Sequence, residues 1–376
     1  MHRCARLILC CTCLAAVLRA DAGAQEVVPR RGTSQVVGGV RGVDDQGVMV
    51  GEDSALIPWD SVASVAGEWS AASTAFNKAA DDLWRARIRL ERGDLAGAEP
   101  LFEHHFPAYS TSTGPTSQLV CGGLLMCRLA RGAQVSAVGP FLAYLASVDG
   151  GEVRRIIRGG DITDPADLSP IDWTFGLAPN LPPVWLSGPG VQSLARGAWP
   201  ARSGRIGTLS MLYQLSACSE AGIAAEVPAR PGNDEGGALV WDVVVARAGD
   251  AIQRVKAREH LRARAAEPTA PWVQAWVRTG LGRSLLKESD TESRLLGMAE
   301  LAAVPAAFER VCPYLTGVAL AELSMAALRE GDDKAAVTLR ELLAERFPGH
   351  PALDWEPLRH WSSVPAVPDN RKVTSP

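Results

Sequence analysis

The densest group of side chains that could do chemistry is Asp161, Asp164, Asp167 and Asp172, within GGDITDPADLSPIDW. Several carboxylate oxygens on an irregular loop suit a hard cation such as calcium, and paired carboxylates can divide the acid and base roles of glycoside hydrolysis. Aspartates before prolines and helix starts also serve as caps and turn residues, which is the plainer reading. Past the first 24 residues the histidines are His104, His105, His260, His350 and His360. Adjacent residues on a helix point about 100° apart, so His104 and His105 are expected at surface or interface positions instead of on one metal. The run from Arg247 to Arg264 carries Arg247, Arg254, Lys256, Arg258, Arg262 and Arg264 against Asp250 and Glu259. It reads as a solvated face, with Arg254, Arg258 and Arg262 four apart as an alternative stripe for an anionic partner.

Sharper signatures are missing. There is no Gly-x-Ser-x-Gly elbow, no His-Glu-x-x-His helix and no Gly-x-x-x-x-Gly-Lys phosphate loop. Gly38-Gly39 and Gly188-Pro189-Gly190 lack the strand and helix of a nucleotide loop and read as turns. No catalytic, cofactor-binding or metal-binding residue is therefore assigned, and no cofactor is expected.

The elements that would have to position such groups are announced by a recurring phrase. Gly93, Ala98 and Phe102 occur in RLERGDLAGAEPLF, Gly132, Ala137 and Phe141 in RLARGAQVSAVGPF, and Gly331 and Ala336 in LREGDDKAAV. Glycine closes one helix in a left-handed conformation, a following polar residue caps the next, and alanine lets the two approach closely. Gly132 lies 39 residues after Gly93; Gly249-Asp250, Glu288-Ser289-Asp290 and Gly331-Asp332 extend a period of roughly 40. Phe76, Ala79, Leu83, Ala86 and Leu90 fall on one helical face. At these residues the chain resembles the tetratricopeptide-repeat family: Ala86, Gly93, Ala98 and Phe102 fall where that family places its small and bulky packing residues, and Pro107 near its terminal proline. Arg89 occupies a position usually aromatic, Pro100 lies inside the return helix, and the period exceeds the family's usual one. The resemblance implies a mainly α protein, an antiparallel helical hairpin array or α-solenoid, whose stacked hairpins offer a surface to a peptide or partner helix.

Around the array the organisation shifts. Residues 1–24 have the form of a secretory signal: Arg3 and Arg6 precede the apolar run Leu7 to Leu18, and Ala22-Gly23-Ala24 supplies small residues for cleavage. Residues 25–67 read as a small β-rich module, a hairpin around Asp44-Asp45-Gln46-Gly47 with a third strand near Ala55 to Trp59, ending in the phrase Ile57-Pro58-Trp59-Asp60-Ser61-Val62. Hairpins are expected over 70–148, an irregular Pro/Gly-rich insertion over 149–202, helical repeats over 203–361 and a disordered tail over 362–376. In the valine run of LVWDVVVARAGD a strand competes with the helical reading. Helices are expected over Arg205 to Ala221, Ala238 to Ala265, Trp272 to Lys287, Glu292 to Ala303, Ala306 to Arg310, Tyr314 to Arg329 and Lys334 to Arg346.

Composition bounds the function. Removing the signal leaves 35 basic and 41 acidic residues, a net charge near −6, which argues against a general nucleic-acid or anionic-membrane binder. No stretch reaches the ~20 apolar residues of a membrane span. Cys121, Cys127, Cys218 and Cys312 remain, either as small core residues or as disulfide partners permitted by export. Cys121 and Cys127 sit about 9 Å apart along one helix and do not pair with each other. The expectation is an exported, periplasmic or extracellular protein that contacts an unidentified protein or peptide without catalysis. The alternatives are an exported hydrolase with carboxylates in the 149–202 insertion and a purely structural envelope protein.

Overall fold

Gly93, Gly132 and Gly331 adopt φ of +76°, +78° and +81° in a computed structural model of the protein, which describes residues 27–30, 39–52, 54–149, 170–197 and 203–362. Each closes a helix in the left-handed region that other residues enter at a steric cost. The helices so joined are α1 (Asn77–Glu91) and α2 (Leu95–Tyr109), α3 (Pro115–Ala130) and α4 (Gln134–Asp149), and α11 (Pro313–Arg329) and α12 (Asp333–Arg346). Ala98, Ala137 and Ala336 are wholly buried, as are Phe102 and Phe141. The first two turns share a clasp: Arg89 Nη1 donates to Gly97 O, and Arg128 Nη1 to Ser136 O, each at 2.7 Å. Both arginines stand four residues before their glycine, which gives Arg89 its reason for occupying an aromatic position.

The chain divides into two compact units, residues 1–124 with 146–168 and residues 125–145 with 169–376. In the first, strands β2 (Val40–Val43), β3 (Gly47–Val50) and β4 (Ala55–Pro58) form an antiparallel sheet in chain order. A second pair, β1 (Val27–Pro29) with β5 (Val62–Val65), was not expected from the sequence. So small a sheet is marginal alone and must be anchored. The phrase at Trp59 supplies the anchor: Trp59 is wholly buried, stacks on Phe76 with ring centroids 4.8 Å apart, and donates through Nε1 to Asp44 O. Beside it Asp60 forms a buried ion pair with Arg87 of α1, which also meets Glu91 at 3.0 Å.

The second unit continues with α5 (Pro189–Arg196), α6 (Gly204–Ala221), α7 (Glu235–Ala248), α8 (Ala251–Ala265), α9 (Pro271–Leu285), α10 (Thr291–Phe308), α11, α12 and α13 (Glu356–Ser362). Helices α7, α9 and α11 pack side by side. They are apolar nearly all round and buried nearly all round, as such helices must be. Each of α8, α10 and α12 follows one of these in the chain, packs against it, and keeps an exposed side. Asp250, Asp290 and Asp332 cap the three through bonds to Gln253 N, Ser293 N and Ala335 N at 2.8, 2.7 and 2.9 Å.

The valine run is the helix α7, in line with the helical reading, and Gly249-Asp250 separates it from α8, which the aspartate starts with a capping box. Other expectations change. Gly249 itself has a φ of −67°, so it ends α7 without the left-handed conformation of Gly93, Gly132 and Gly331. Helix α10 runs through Pro305 to Phe308 as one element, and α2 likewise continues through Pro100 and Pro107 to Tyr109. Asp161, Asp164 and Asp167, the signal segment and the tail beyond Ser362 lie outside the described residues.

Candidate functional site

The described part of the Pro/Gly-rich insertion runs against the helices of the second unit. From Ile171 to Ser187 the chain is irregular, apart from a bridge between Asp172 and Leu177, because its prolines deny it a regular ladder. Leu177, Ala178, Leu181, Val184 and Trp185 are nonetheless buried completely or nearly so. Buried carbonyls need donors, and side chains of α6, α9 and α11 provide them. Tyr213 Oη donates to Leu181 O at 2.6 Å, Ser216 Oγ to Pro183 O at 2.7 Å, Trp276 Nε1 to Pro179 O at 3.0 Å and Tyr314 Oη to Val184 O at 2.9 Å. Arg205 holds Phe175 O and Gly176 O. The segment is thus gripped through its backbone by its own chain.

Beneath it lies a buried charge network. Arg283 Nε meets Glu322 Oε1 at 2.7 Å and its Nη2 donates to Trp185 O, also at 2.7 Å. Glu220 bridges Arg247 at 2.9 Å and Arg283 at 3.3 Å. Burial alone would raise the Glu220 carboxyl, but the two guanidinium groups outweigh it and hold the group below the usual carboxylate range. With every charge paired, the network is a clamp on the segment.

Asp172 does not act as a free carboxylate. Its Oδ1 accepts from Thr174 N at 2.9 Å and its Oδ2 from Trp272 Nε1 at 3.0 Å, which is turn chemistry of the kind aspartate favours. The basic run is mostly consumed as well: Arg247 pairs with Glu220, Arg254 and Arg258 with Glu288, and Arg264 with Glu235. Arg258 is buried, so the proposed stripe of Arg254, Arg258 and Arg262 is not a surface for an anion. Lys256 and Arg262 stay exposed on α8.

The histidines separate into three settings. His350 packs against Tyr314, bonding to its carbonyl through Nε2 at 2.9 Å and accepting from Ala352 N through Nδ1. Burial drives its pKa down to about 4 despite the carbonyl bond. His260 Nδ1 lies 2.8 Å from Asp242 Oδ1, a wholly buried carboxylate that Arg230 also holds with two bonds of 2.8 Å. His360 is exposed beside Glu356.

His104 is exposed, as expected, whereas His105 is buried. Despite their angular separation on α2, their ring centroids lie 4.8 Å apart, edge to face. Asp82 of α1 joins them: His105 Nε2 is 3.2 Å from Asp82 Oδ2, and one ligand atom from each of the three residues lies within 4.8 Å of the others. Burial lowers the pKa of His105, favouring the neutral ring. Asp82 was not singled out in the sequence. Its signal is position: it stands four residues before Ala86 on the buried side of α1, where a carboxylate requires a partner.

Cys121, Cys127, Cys218 and Cys312 are buried and unbridged, with the Cys312 thiol pushed up to about 12 by burial. Among the described residues no helix is long and apolar enough to cross a membrane. One exposed surface stands out by composition: on α10 the solvent side reads Leu295, Leu296, Ala299, Ala302, Ala306 and Ala307, with Glu292 at one end and Arg310 just past the other. The opposite side of α10 approaches α9 closely, a Cβ on Gly297 falling 2.9 Å from Gly282 O.

Compared with known proteins, the chain matches no family model, no curated protein and no solved structure.

Proposed function

We propose that the protein is a non-enzymatic scaffold of tetratricopeptide-like hairpins, exported to the periplasm or the extracellular space, that acts through protein contacts. The donors on α6, α9 and α11 that could grip a foreign peptide grip residues 171–187 instead. Contacts then belong to the exposed sides of α8, α10 and α12. There Val255, Leu295 and Val337 each stand five residues after their capping aspartates and are 46%, 53% and 40% exposed.

The observation that carries the reading is the exposed side of α10, and the occupant we assign to it is a second copy of the chain. Centred between Glu300 and Leu301, an antiparallel pairing of two α10 helices sets Leu295 against Ala306 of the second copy and Ala299 against its Ala302. Large residues then meet small ones, and Glu292 approaches the second copy's Arg310 at both ends. Apolar burial, close approach through alanine and two charge pairs all favour the same register.

Sedimentation of the purified full chain tests this. Wild type should associate as a dimer, Leu296→Glu should be monomeric with unchanged helical content, and Arg310→Glu should weaken association. Adding Glu292→Arg to Arg310→Glu should restore it. A wild-type monomer at all accessible concentrations, or a dimer indifferent to these changes, overturns the proposal.

A further inference from the structure

Asp82, His104 and His105 form a group that neither the hairpin packing nor the α10 surface uses. Their atoms make a two-nitrogen, one-oxygen donor set, within 4.8 Å of one another, across the first hairpin. Metal bonds of ~2.0–2.2 Å to nitrogen and carboxylate oxygen place neighbouring donors in a tetrahedral site ~3.3 Å apart. The 3.2 Å between His105 Nε2 and Asp82 Oδ2 already meets that spacing. His104 needs only a small side-chain adjustment and can make it, being exposed.

The surroundings suit such a centre. Asp82 Oδ1 is engaged by Arg85 at 2.5 Å, leaving Oδ2 toward the histidines. A second partner on the remote oxygen of a ligating carboxylate is the outer-shell support that metal sites use to fix their ligands. The donor set is borderline in softness, which selects zinc, or cobalt and nickel as its surrogates, over calcium or magnesium. The start of the helix that carries both histidines is fixed by Asp94, which caps α2 through Gly97 N at 3.0 Å.

We infer that Asp82, His104 and His105 bind a transition-metal ion of the zinc type, with solvent completing the coordination from the His104 side. Three protein ligands and an open position describe a site that accepts a further ligand from solution.

The test is calorimetric titration of the chelator-treated full chain with zinc sulfate, repeated on His104→Ala and Asp82→Asn. The quantity read is the zinc equivalent that depends on His104. His104 is exposed, so its removal leaves the fold intact, whereas Asp82→Asn also disturbs the contacts to Arg85 and His105. Wild type should bind one equivalent that weakens at least tenfold in His104→Ala, and cobalt in its place should show absorption typical of nitrogen and oxygen ligands. The proposal is overturned if His104→Ala binds the same number of equivalents with the same affinity as wild type. It is overturned equally if the bound cobalt shows only thiolate charge-transfer absorption, which would place the metal on cysteine.

Discussion

Arg283 Nε lies 2.7 Å from Glu322 Oε1, joining α9 to α11, and the same guanidinium donates to Trp185 O in the insertion. One buried side chain therefore ties two helices to the segment they enclose. Removing it leaves Glu322 with only the more distant Arg247, at 4.0 Å, and deprives the Trp185 carbonyl of its donor. Arg283→Met should cost about 3–5 kcal/mol in urea unfolding. The double variant Arg283→Met, Glu322→Met should recover much of that loss, since no poorly compensated carboxylate is left there. A single variant as stable as wild type would show that the clamp contributes nothing.

The left-handed glycines of the hairpin turns make a cleaner backbone experiment. A Cβ at Gly331 would meet nothing within 4 Å, so Gly331→Ala should cost only the backbone penalty, about 1–2 kcal/mol. Gly331→Asn should recover part of it, because asparagine enters the left-handed region more easily. At Gly249 the cause is different: the φ is ordinary, but a Cβ would fall 2.8 Å from Val245 O and from Gln253 Cβ. Asparagine should bring no recovery there. Thermal unfolding of the four variants distinguishes conformation from crowding.

His350 sets a pH dependence with a definite sign. Its folded pKa, about 4, lies below the ordinary value of 6.5. The folded protein therefore binds fewer protons here than the unfolded chain between those values. The stability contributed is complete above pH 6.5 and declines as the pH falls toward 4. Denaturation midpoints measured across that window should drop, and His350→Gln, which keeps a donor and an acceptor, should flatten the slope.

Tyr213 and Tyr314 each donate to a different buried carbonyl of the captured segment. Tyr213→Phe and Tyr314→Phe should each cost about 1–2 kcal/mol, because a buried acceptor loses its partner while the ring packing remains. The two carbonyls are independent, so the double variant should show the sum of the single losses. A loss well below the sum would mean that one bond holds the segment for both.

How legible all this was depended on whether the governing contact was local. The hairpin turns at Gly93, Gly132 and Gly331, the wholly buried Ala98, Ala137 and Ala336, and the β-hairpin at Asp44 to Gly47 follow from residues a few positions apart. Sequence periodicity reports such contacts directly. At Pro107 and Pro305 local proline chemistry predicts a break, whereas α2 and α10 run through them.

The sequence by itself determined a mainly helical chain of glycine-closed hairpins behind a small strand module, because backbone conformation and apolar spacing act over a single turn or hairpin. Only the tertiary structure decided that Asp172, a turn residue by its sequence, is held by Trp272, 100 positions away, that residues 171–187 are held by α6, α9 and α11, and that Asp82 meets His104 and His105. Those outcomes rest on which side chains reach which buried polar atom. The cost of leaving such an atom unpaired enforces the pairing in the folded protein, but it has no periodicity along the chain.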